Sequence, residues 1–531
     1  MVHTYAIPIP IFIPIWLAEF DVIALGPVEV AVTSATLGLL GITTLYTMFS
    51  GFYGVVVTDL IQGLIIVVAS VIVGIMAWQM ITSPEALGEI AAEVTGSETW
   101  MASAPAWKVD MPTQYAAYES LVIVMIFYLL RNFLAGLGMG AEPRFFGARN
   151  DRECGLQCLV QGGVVMLRWP MMIGIAVMGI FLVARELPDQ SVLGETAEMI
   201  KAQHPEIRES QWMEAVAAMA NRPEAVDPEL RAELTDRLGD NWPERVRLVG
   251  FHGTVNPELI FPAVLKTELP AGLRGLLLVA MLAALMSTFD AQVNMGAAFF
   301  VRDLYQRWLR PKASEKECVR VSYATVLALV VLACWMGLAA HSINDIWGWI
   351  VMGLGSGAAA PGILRMLWWR LNGWGMAGSL AAGTGAAVLQ RGFYPEMSEW
   401  WQFTIITAIS FASCIGVTLL TRPTDEATLL AFYRKTRPFG WWKPVREQLD
   451  ATERASIRRE NRTDIAAVPF VLLAQVTLFL MAMQLVIHSY GSFWKTLPLF
   501  LVGALGAWWF WWRPLRWLDA DEGNASTSNT P

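Results

Sequence analysis

The sequence predicts an all-α, polytopic membrane protein that crosses the bilayer about twelve times. Of its 531 residues 55% are hydrophobic and only 16% are charged, and the mean hydropathy is +0.45. A soluble domain carries about 25% charged residues, so a set of water-soluble domains is excluded. Long apolar runs, without the ten-residue alternation of an outer-membrane barrel, indicate helices, because a helix satisfies its own backbone in lipid.

The cysteines, histidines and net charge exclude several other classes of function. The 5 Cys and 5 His are scattered, so neither a disulfide framework nor a zinc motif is predicted. Cys154 and Cys158 are interpreted as small packing residues rather than as metal ligands. A net charge of -8 disfavours a nucleic-acid partner. The loops contain no nucleophile with a matching base, so we expect neither an enzyme nor an organic cofactor.

Apolar runs separated by Gly, Pro and charged residues define the predicted spans. In chain order they lie near residues 4–25, 30–50, 53–81, 118–140, 155–184, 271–302, 319–341, 343–369, 373–392, 401–421, 465–488 and 494–514. The first run lacks a basic leader and a small-residue cleavage site, so no signal peptide is expected.

The basic residues indicate the orientation of the chain, because Lys and Arg accumulate in cytoplasmic loops. They concentrate in the even-numbered connections, most of all between the tenth and eleventh spans. The odd-numbered connections are short or acidic. Both ends are therefore expected in the cytoplasm, and the protein is expected in the cell's inner (cytoplasmic) membrane.

The spans divide the chain into six segments. Spans one to five occupy residues 1–184, an extracytoplasmic insert 185–270, spans six to ten 271–421, a basic cytoplasmic loop 422–464, the last two spans 465–518, and a disordered tail 519–531. The insert mixes charged residues with Trp and Pro and is expected to be helical.

The sixth predicted span holds the polar residues most indicative of function. At helical spacing Ala284, Ser287 and Thr288 share one face of the helix. Asp290 lies about one turn beyond Ser287. Hydroxyls, a freed carbonyl and a carboxylate are hard oxygen ligands suited to an alkali cation. The alternative is that the hydroxyls bond back to their own helix and Asp290 pairs with an arginine of another span.

Asp59 is the second candidate, near the cytoplasmic end of the third predicted span. It is either a functional carboxylate or a solvated residue at a helix start, where the helix dipole favours negative charge. Arg131 and Arg168 also fall in apolar runs, and we interpret them as structural counter-charges or snorkelling residues.

Several motifs resemble the sodium:solute symporter family, which includes sodium/glucose and sodium/proline cotransporters. The eighth core helix of that family is similar to the segments 269–276, 283–288 and 302–305. The fifth core helix is similar to 51–62, with Val57 where the family has Trp. Arg144 is similar to the arginine of the Gln-Arg element after the sixth core helix, with Pro143 in place of Gln. A bacterial branch of the family is similar at residues 364–372 and 432–438.

The resemblance implies a LeuT-like inverted-repeat fold with an ion site at mid-membrane. The backbone carbonyl of Ala284 and the hydroxyls of Ser287 and Thr288 match the family's principal sodium ligands. Asp59 matches a carboxylate on the sodium exit path or in a second sodium site. Asp290 stands where members with that second site have Ser, so it either supplies a stronger cation ligand or replaces the second ion with its own proton.

The resemblance leaves the substrate-binding residues unknown. At residues 138–140 the chain reads Gly-Met-Gly where sugar-transporting members carry an Asn-Gln-aromatic element. At residues 353–358 it is rich in glycine rather than glutamine-bearing, which leaves a wide pocket or allows close helix packing, and packing is the preferred interpretation.

The first predicted span resembles the third core helix of the family, so the chain as given is expected to be N-terminally incomplete. A misassigned start, a second polypeptide and a degenerate protein are three explanations. The expected function is sodium-coupled secondary active symport of a small organic solute, with sodium as the only metal. The alternative is a non-transporting, transporter-derived membrane sensor or a degenerate fragment. The expected partners are sodium, the solute and the lipid bilayer, with no nucleic acid.

Overall fold

The computed structural model describes residues 22–25, 28–104, 106–109, 119–138, 148–338, 355–394, 397 and 399–515. The described chain opens with two short antiparallel strands, β1 (Val22–Leu25) and β2 (Val28–Ala31), paired from Val22 opposite Ala31 to Leu25 opposite Val28. The prediction of a helical span over 4–25 is wrong for its last four residues, because the β-branched residues of both strands favour extended structure. The rest of that span lies outside the described residues.

Helices make up nearly all of the remaining described chain. Before the insert they are α1 (Val32–Met80), α2 (Pro84–Thr95), α3 (Leu121–Gly138), α4 (Asp151–Met166) and α5 (Arg168–Glu186). The insert contains α6 (Ser191–Gln203), α7 (Glu209–Asn221), a 3-10 turn (Pro223–Ala225), α8 (Pro228–Leu238), α9 (Trp242–Val246) and α10 (Pro257–Thr267).

After the insert come the second group of spans and the C-terminal segment. The helices are α11 (Ala271–Phe299) with a π-helical continuation (Phe300–Leu309), α12 (Glu315–Leu338), α13 (Gly355–Gly357), α14 (Ala359–Leu367), α15 (Gly373–Phe393) and α16 (Glu399–Leu420). They are followed by α17 (Glu426–Thr436), α18 (Lys443–Arg446), α19 (Ala451–Val486) and α20 (Tyr490–Ala507), which continues as a π-helical turn (Trp508–Trp512).

Seven helical stretches in the described residues are long and apolar enough to cross a membrane. They are Val57–Met80, Asp151–Glu186, Ala271–Leu309, Glu315–Trp335, Trp400–Leu420, Ala451–Val486 and Tyr490–Leu515. The chain is therefore a multi-pass helical membrane protein, as the sequence predicts. The total of about twelve spans stays a prediction, because part of the predicted eighth span, 343–354, lies outside the described residues.

Helix α1 differs from the two separate spans, 30–50 and 53–81, that the sequence predicts, because it is helical without interruption from Val32 to Met80. It is nevertheless bent, since the hydroxyls of Tyr46 and Thr58 are in hydrogen-bond contact. In a straight helix residues twelve apart are separated by about 18 Å, beyond the reach of a tyrosine side chain. Ser50 followed by Gly51 lies between them, and Gly/Ser pairs are a common place for a helix to bend.

The part of α1 that follows the bend, which we call its second arm, packs closely against α5. A Cβ added at Gly174 of α5 would lie 3.1 Å from the carbonyl oxygen of Val73, so a larger residue would push the two helices apart by a few tenths of an ångström. Around that contact Ala69, Ala77 and Val177 are fully buried and belong to one apolar core. Leu277 of α11 joins the same core, which therefore fixes α11 relative to α1 and α5.

The insert, residues 185–270, is helical and has its own apolar core. Ile200, Leu230 and Leu234 are fully buried in it, and Trp212 donates its indole N–H to the carbonyl oxygen of Val249 at 2.9 Å. Val183, near the end of α5, belongs to the same core. The insert is thus packed directly onto a membrane helix. Its position outside the cytoplasm stays a prediction.

The basic segment predicted as a loop, residues 422–464, is largely helical. It contains α17 and α18, and from Ala451 onward it forms the first turns of α19, continuous with the predicted eleventh span. The predicted eleventh span begins near residue 465 because the hydropathy changes there, and Glu and Arg, which are good helix formers, carry the helix itself further back.

Candidate functional site

The candidate site lies where α1 packs against α11, and Asp290 of α11 is at its centre. Asp290 is fully buried and its neighbour Phe289 is 1% exposed. Phe289 packs with Leu40 of α1 and Val326 of α12, so apolar contacts on both sides hold this turn of α11 in place. A carboxylate in such surroundings is costly unless polar groups or a cation face it.

Tyr46 supplies the polar group that faces Asp290. Its hydroxyl donates a hydrogen bond to Asp290 Oδ2 at 3.1 Å and also contacts the hydroxyl of Thr58. Among the described residues, Asp290 Oδ1 is buried and has no hydrogen-bond partner. Among the described residues Asp290 therefore forms no ion pair with an arginine, unlike in the alternative interpretation. One of its carboxylate oxygens remains available to a ligand.

Asp59 lies beside Thr58 on α1, and the bend of that helix brings it toward α11. Its carboxylate is close enough to that of Asp290 for the two charges to repel each other. The structure therefore brings together the two carboxylates that the sequence singles out in different spans. Two carboxylates in a setting of low dielectric constant favour a cation or a shared proton between them.

The predicted sodium ligands lie on the same helix before Asp290, Ser287 and Thr288 within one turn of it and Ala284 within two. Thr288 donates its hydroxyl hydrogen to the carbonyl oxygen of Ala284 at 2.7 Å, so two of the three predicted groups already contact each other. Ser287, Thr288 and Ala284 are all half-buried. The Thr288 hydroxyl thus bonds back to its own helix, as the alternative interpretation expects, while its oxygen keeps lone pairs that a cation can share.

Tyr46 was missed by the sequence reasoning. The signal was present in Thr43-Thr44-Leu45-Tyr46-Thr47, a polar run inside an apolar stretch. Thr44 and Thr47 donate to backbone carbonyls four residues earlier, at 2.6 and 2.7 Å, and so satisfy themselves within α1. A tyrosine hydroxyl is too far from its own backbone for such a bond, so a half-buried Tyr in this run needs a partner from elsewhere.

The glycine-rich segment at 353–358 contributes helix packing where the structure describes it. A Cβ added at Gly383 of α15 would lie 2.4 Å from the Cα atom of Gly357 of α13. Ser410 of α16 donates to the carbonyl oxygen of Gly357 at 2.7 Å and shares a 2.8 Å hydrogen bond with Ser379 of α15. These contacts favour the packing interpretation over a wide pocket.

Comparisons with known proteins agree with the motifs. The model of the "Sodium:solute symporter family" matches residues 27–205 and 242–383, more than half of the chain. A sodium/proline symporter of Haemophilus influenzae is 28% identical over 197 residues, 35% of this chain and 38% of its own length. The sodium/mannose cotransporter SLC5A10 of Bos taurus is 24% identical over 372 residues, 67% of this chain and 53% of its own.

Among solved structures, a sodium-coupled sialic acid symporter in a substrate-bound outward-open state matches 79% of this chain and 73% of its own, with 15% identity and a TM-score of 0.40. The two curated relatives are matched over 38% and 53% of their length, so this chain spans about half of them or less.

Proposed function

This chain belongs to the sodium:solute symporter family, and we propose that it works as a sodium-coupled secondary active symporter of a small organic solute in the cytoplasmic membrane. The observation that carries the proposal is the polar cluster buried between α1 and α11. Tyr46 donates to Asp290 there, and the charge of Asp59 acts on the same carboxylate. Ser287 and Thr288 lie within one turn of Asp290 on α11. Inside a membrane such groups are costly and are retained at ion pathways.

We assign the first sodium ion to the carbonyl oxygen of Ala284 and the hydroxyl oxygens of Ser287 and Thr288. The 2.7 Å contact between Thr288 and Ala284 supports the assignment, because it holds two hard oxygen atoms next to each other on α11. Sodium drives uptake if it binds more tightly to the outward-facing state, since an ion shifts a conformational equilibrium only through its differential affinity.

We assign a second cation to the space between Asp59 and Asp290. The repulsion between these carboxylates and the free Oδ1 atom of Asp290 support a positive charge at this position. Both sodium and a proton satisfy this requirement. A proton makes uptake depend on external pH at constant sodium, whereas a second sodium ion makes the sodium dependence steeper.

We assign the solute only as a small organic molecule. The relatives are named for proline and mannose, which differ in charge and in hydrogen-bonding groups. Gly357 and Gly383, which pack closely against each other, have no polar side chain that would favour one of these two solutes. A screen of sugars, amino acids and carboxylates for sodium-dependent thermal stabilisation would choose among them, because a ligand of the folded state raises its apparent stability.

The test of sodium coupling combines binding with transport. We expect sodium chloride to raise the unfolding temperature of the purified protein more than potassium chloride does, and Ser287→Ala combined with Thr288→Ala to abolish the difference. Thr325→Ala is the matched control, because Thr325 bonds back to Val321 on a different membrane helix. Equal stabilisation by both salts would contradict the sodium site.

Solute uptake into proteoliposomes, with external sodium exchanged for potassium, separates a symporter from a sensor. Uptake that needs sodium supports symport. If the wild-type protein binds sodium but takes up none of the screened solutes, the non-transporting alternative is supported instead.

A further inference from the structure

An arginine pocket lies on the first turns of α19, away from the ion site. Arg458, Arg459 and Arg462 line it together with Thr463 and Ala466, and Phe510 of the C-terminal π-helical turn closes it. Its volume is about 620 Å³, enough for a phospholipid head group. By helical spacing these residues of α19 share one face of the helix.

Two acidic residues of this part of α19 are engaged elsewhere. Glu453 accepts from Arg434 at 3.1 Å, and Glu460 accepts from Arg437 at 2.6 Å. Both acids lie on the face opposite the arginine pocket, toward α17. In the described part of the chain no carboxylate forms an ion pair with the three pocket arginines.

Aromatic residues mark the level of the membrane at which the pocket lies. Trp508 and Trp509 are exposed beside Phe510, and the guanidinium of Arg513 lies 4.5 Å from the ring centroid of Trp509. Tryptophan and arginine concentrate at the boundary between head groups and acyl chains. The pocket therefore faces the layer in which lipid phosphates lie.

The wall formed by Phe510 is fixed by helix packing. Phe510 stacks on Phe470 of α19 with ring centroids 5.4 Å apart. A Cβ added at Gly503 of α20 would lie 2.6 Å from the backbone nitrogen of Ala474, so the two helices touch just above the pocket. The pocket is thus a preformed feature of the α19–α20 pair.

From these observations we infer that the arginine pocket binds an anionic phospholipid of the membrane leaflet that surrounds it. The arginines supply charge-assisted hydrogen bonds to the lipid phosphate. Ala466, Phe510 and the apolar turns that begin at Ile465 supply a surface for the acyl chains. This continuity from charged to apolar surface favours a lipid over a soluble anion. By the positive-inside rule the leaflet is the cytoplasmic one.

Native mass spectrometry of the full chain in detergent, titrated with dioleoylphosphatidylglycerol or dioleoylphosphatidylcholine, tests this inference. We expect one phosphatidylglycerol molecule to bind preferentially. Replacing Arg458, Arg459 and Arg462 by Gln should weaken that binding on the order of 100-fold, because each basic residue near an anionic lipid contributes several-fold.

A charge-matched control separates a site from general surface charge. Arg307→Gln, Lys312→Gln and Lys316→Gln remove the same number of positive charges from exposed positions at and beside the turn between the π-helical continuation of α11 and the start of α12. We expect this variant to keep wild-type lipid binding. An equal loss in both triple variants would overturn the pocket and leave only non-specific attraction.

Two further measurements keep the inference testable if the Gln variant does not fold. Arg458→Lys, Arg459→Lys and Arg462→Lys should retain most of the binding, because the charge is kept. In the wild-type protein, raised ionic strength should reduce the preference for phosphatidylglycerol. Equal binding of the two lipids, or displacement of phosphatidylglycerol by inorganic phosphate alone, would contradict the assignment to a lipid.

Discussion

At the scale of single residues, the candidate site depends on one tyrosine. The hydroxyl of Tyr46 touches Thr58 within its own helix and donates to Asp290 across the helix interface. It thereby links the two arms of α1 and joins both to α11. Because Asp290 is fully buried, the loss of this donor would leave a second carboxylate oxygen unsatisfied.

Tyr46→Phe keeps the ring and removes that donor. We expect it to lower the free energy of unfolding by about 1–3 kcal/mol, the range for leaving a buried polar group without its partner. Thermal unfolding of the purified protein measures the change. Tyr323→Phe is the control, since the ring of Tyr323 packs edge-on against Phe49 and it makes no described side-chain hydrogen bond through its hydroxyl. A loss no larger than in the control would argue against the role of Tyr46.

Asp290→Asn removes one of the two repelling carboxylates and keeps an acceptor for Tyr46. Without added sodium we expect the variant to be at least as stable as the wild type, because the repulsion from Asp59 disappears. The extra stabilisation that a bound cation gives should shrink at the same time. Unfolding temperatures with and without sodium measure both effects. Asp303→Asn is the control, because Asp303 is an exposed aspartate on the continuation of α11, and it should change neither the stability without sodium nor the stabilisation by sodium. If Asp290→Asn responds to sodium as the wild type does, Asp290 is not a cation ligand.

At the scale of helices, glycines set how closely the spans approach. Gly357 and Gly383 bring α13 and α15 into backbone contact, and the hydrogen bond between Ser379 and Ser410 joins α15 to α16. Small residues and polar side chains at helix contacts are the usual source of association in membranes, where lipid already solvates apolar surfaces.

Gly383→Ala places a methyl group where the backbone of Gly357 lies 2.4 Å away. We expect it to lower the free energy of unfolding by about 1–3 kcal/mol through overpacking. At Gly385 of the same helix, no described atom outside the neighbouring backbone lies within 4 Å of an added Cβ, so Gly385→Ala should be neutral or slightly stabilising. Thermal unfolding compares the two. Equal effects would show that helix propensity, not the contact, decides the outcome.

At the scale of the whole molecule, the insert and the membrane helices share their apolar cores. Val183 and Leu187, at the end of α5, are buried with Trp212 and Leu230 of the insert. Arg185 also pairs with Glu268 at 2.6 Å, which ties the end of α5 to the end of the insert. A movement of α5 is thus expected to carry the insert with it.

Trp212→Ala should loosen the insert, because Trp212 is 2% exposed and its indole bonds to Val249. Truncating a buried aromatic residue costs about 3–5 kcal/mol. We expect faster proteolytic cleavage between residues 185 and 270, detected by mass spectrometry of the fragments. Trp374→Ala, which changes a residue that is 70% exposed, is the control and should leave the cleavage rate unchanged. Equal protection in both variants would contradict this account of the insert core.

Composition and apolar runs predicted the helical membrane class and most of the helices, because hydropathy records where the backbone meets lipid. The motif around Ala284, Ser287 and Thr288 placed α11 in its family. Local patterns could not show that α1 continues through Ser50 and Gly51 as a bent helix. They also could not reveal the contact from Tyr46 to Asp290, which depends on how two distant helices pack. The helix that contains the eleventh predicted span begins earlier than the span itself, since charged residues extend α19 back to Ala451.

The link between Tyr46 and Asp290 has a consequence for the order of events during synthesis. The two residues are 244 positions apart in the chain. At about 5–20 residues per second, the ribosome needs roughly 12–50 s to add the second after the first. During that interval the polar residues of α1 stand in or near the membrane without α11. Either the translocation machinery shields this helix until α11 arrives, or α1 completes its insertion only then.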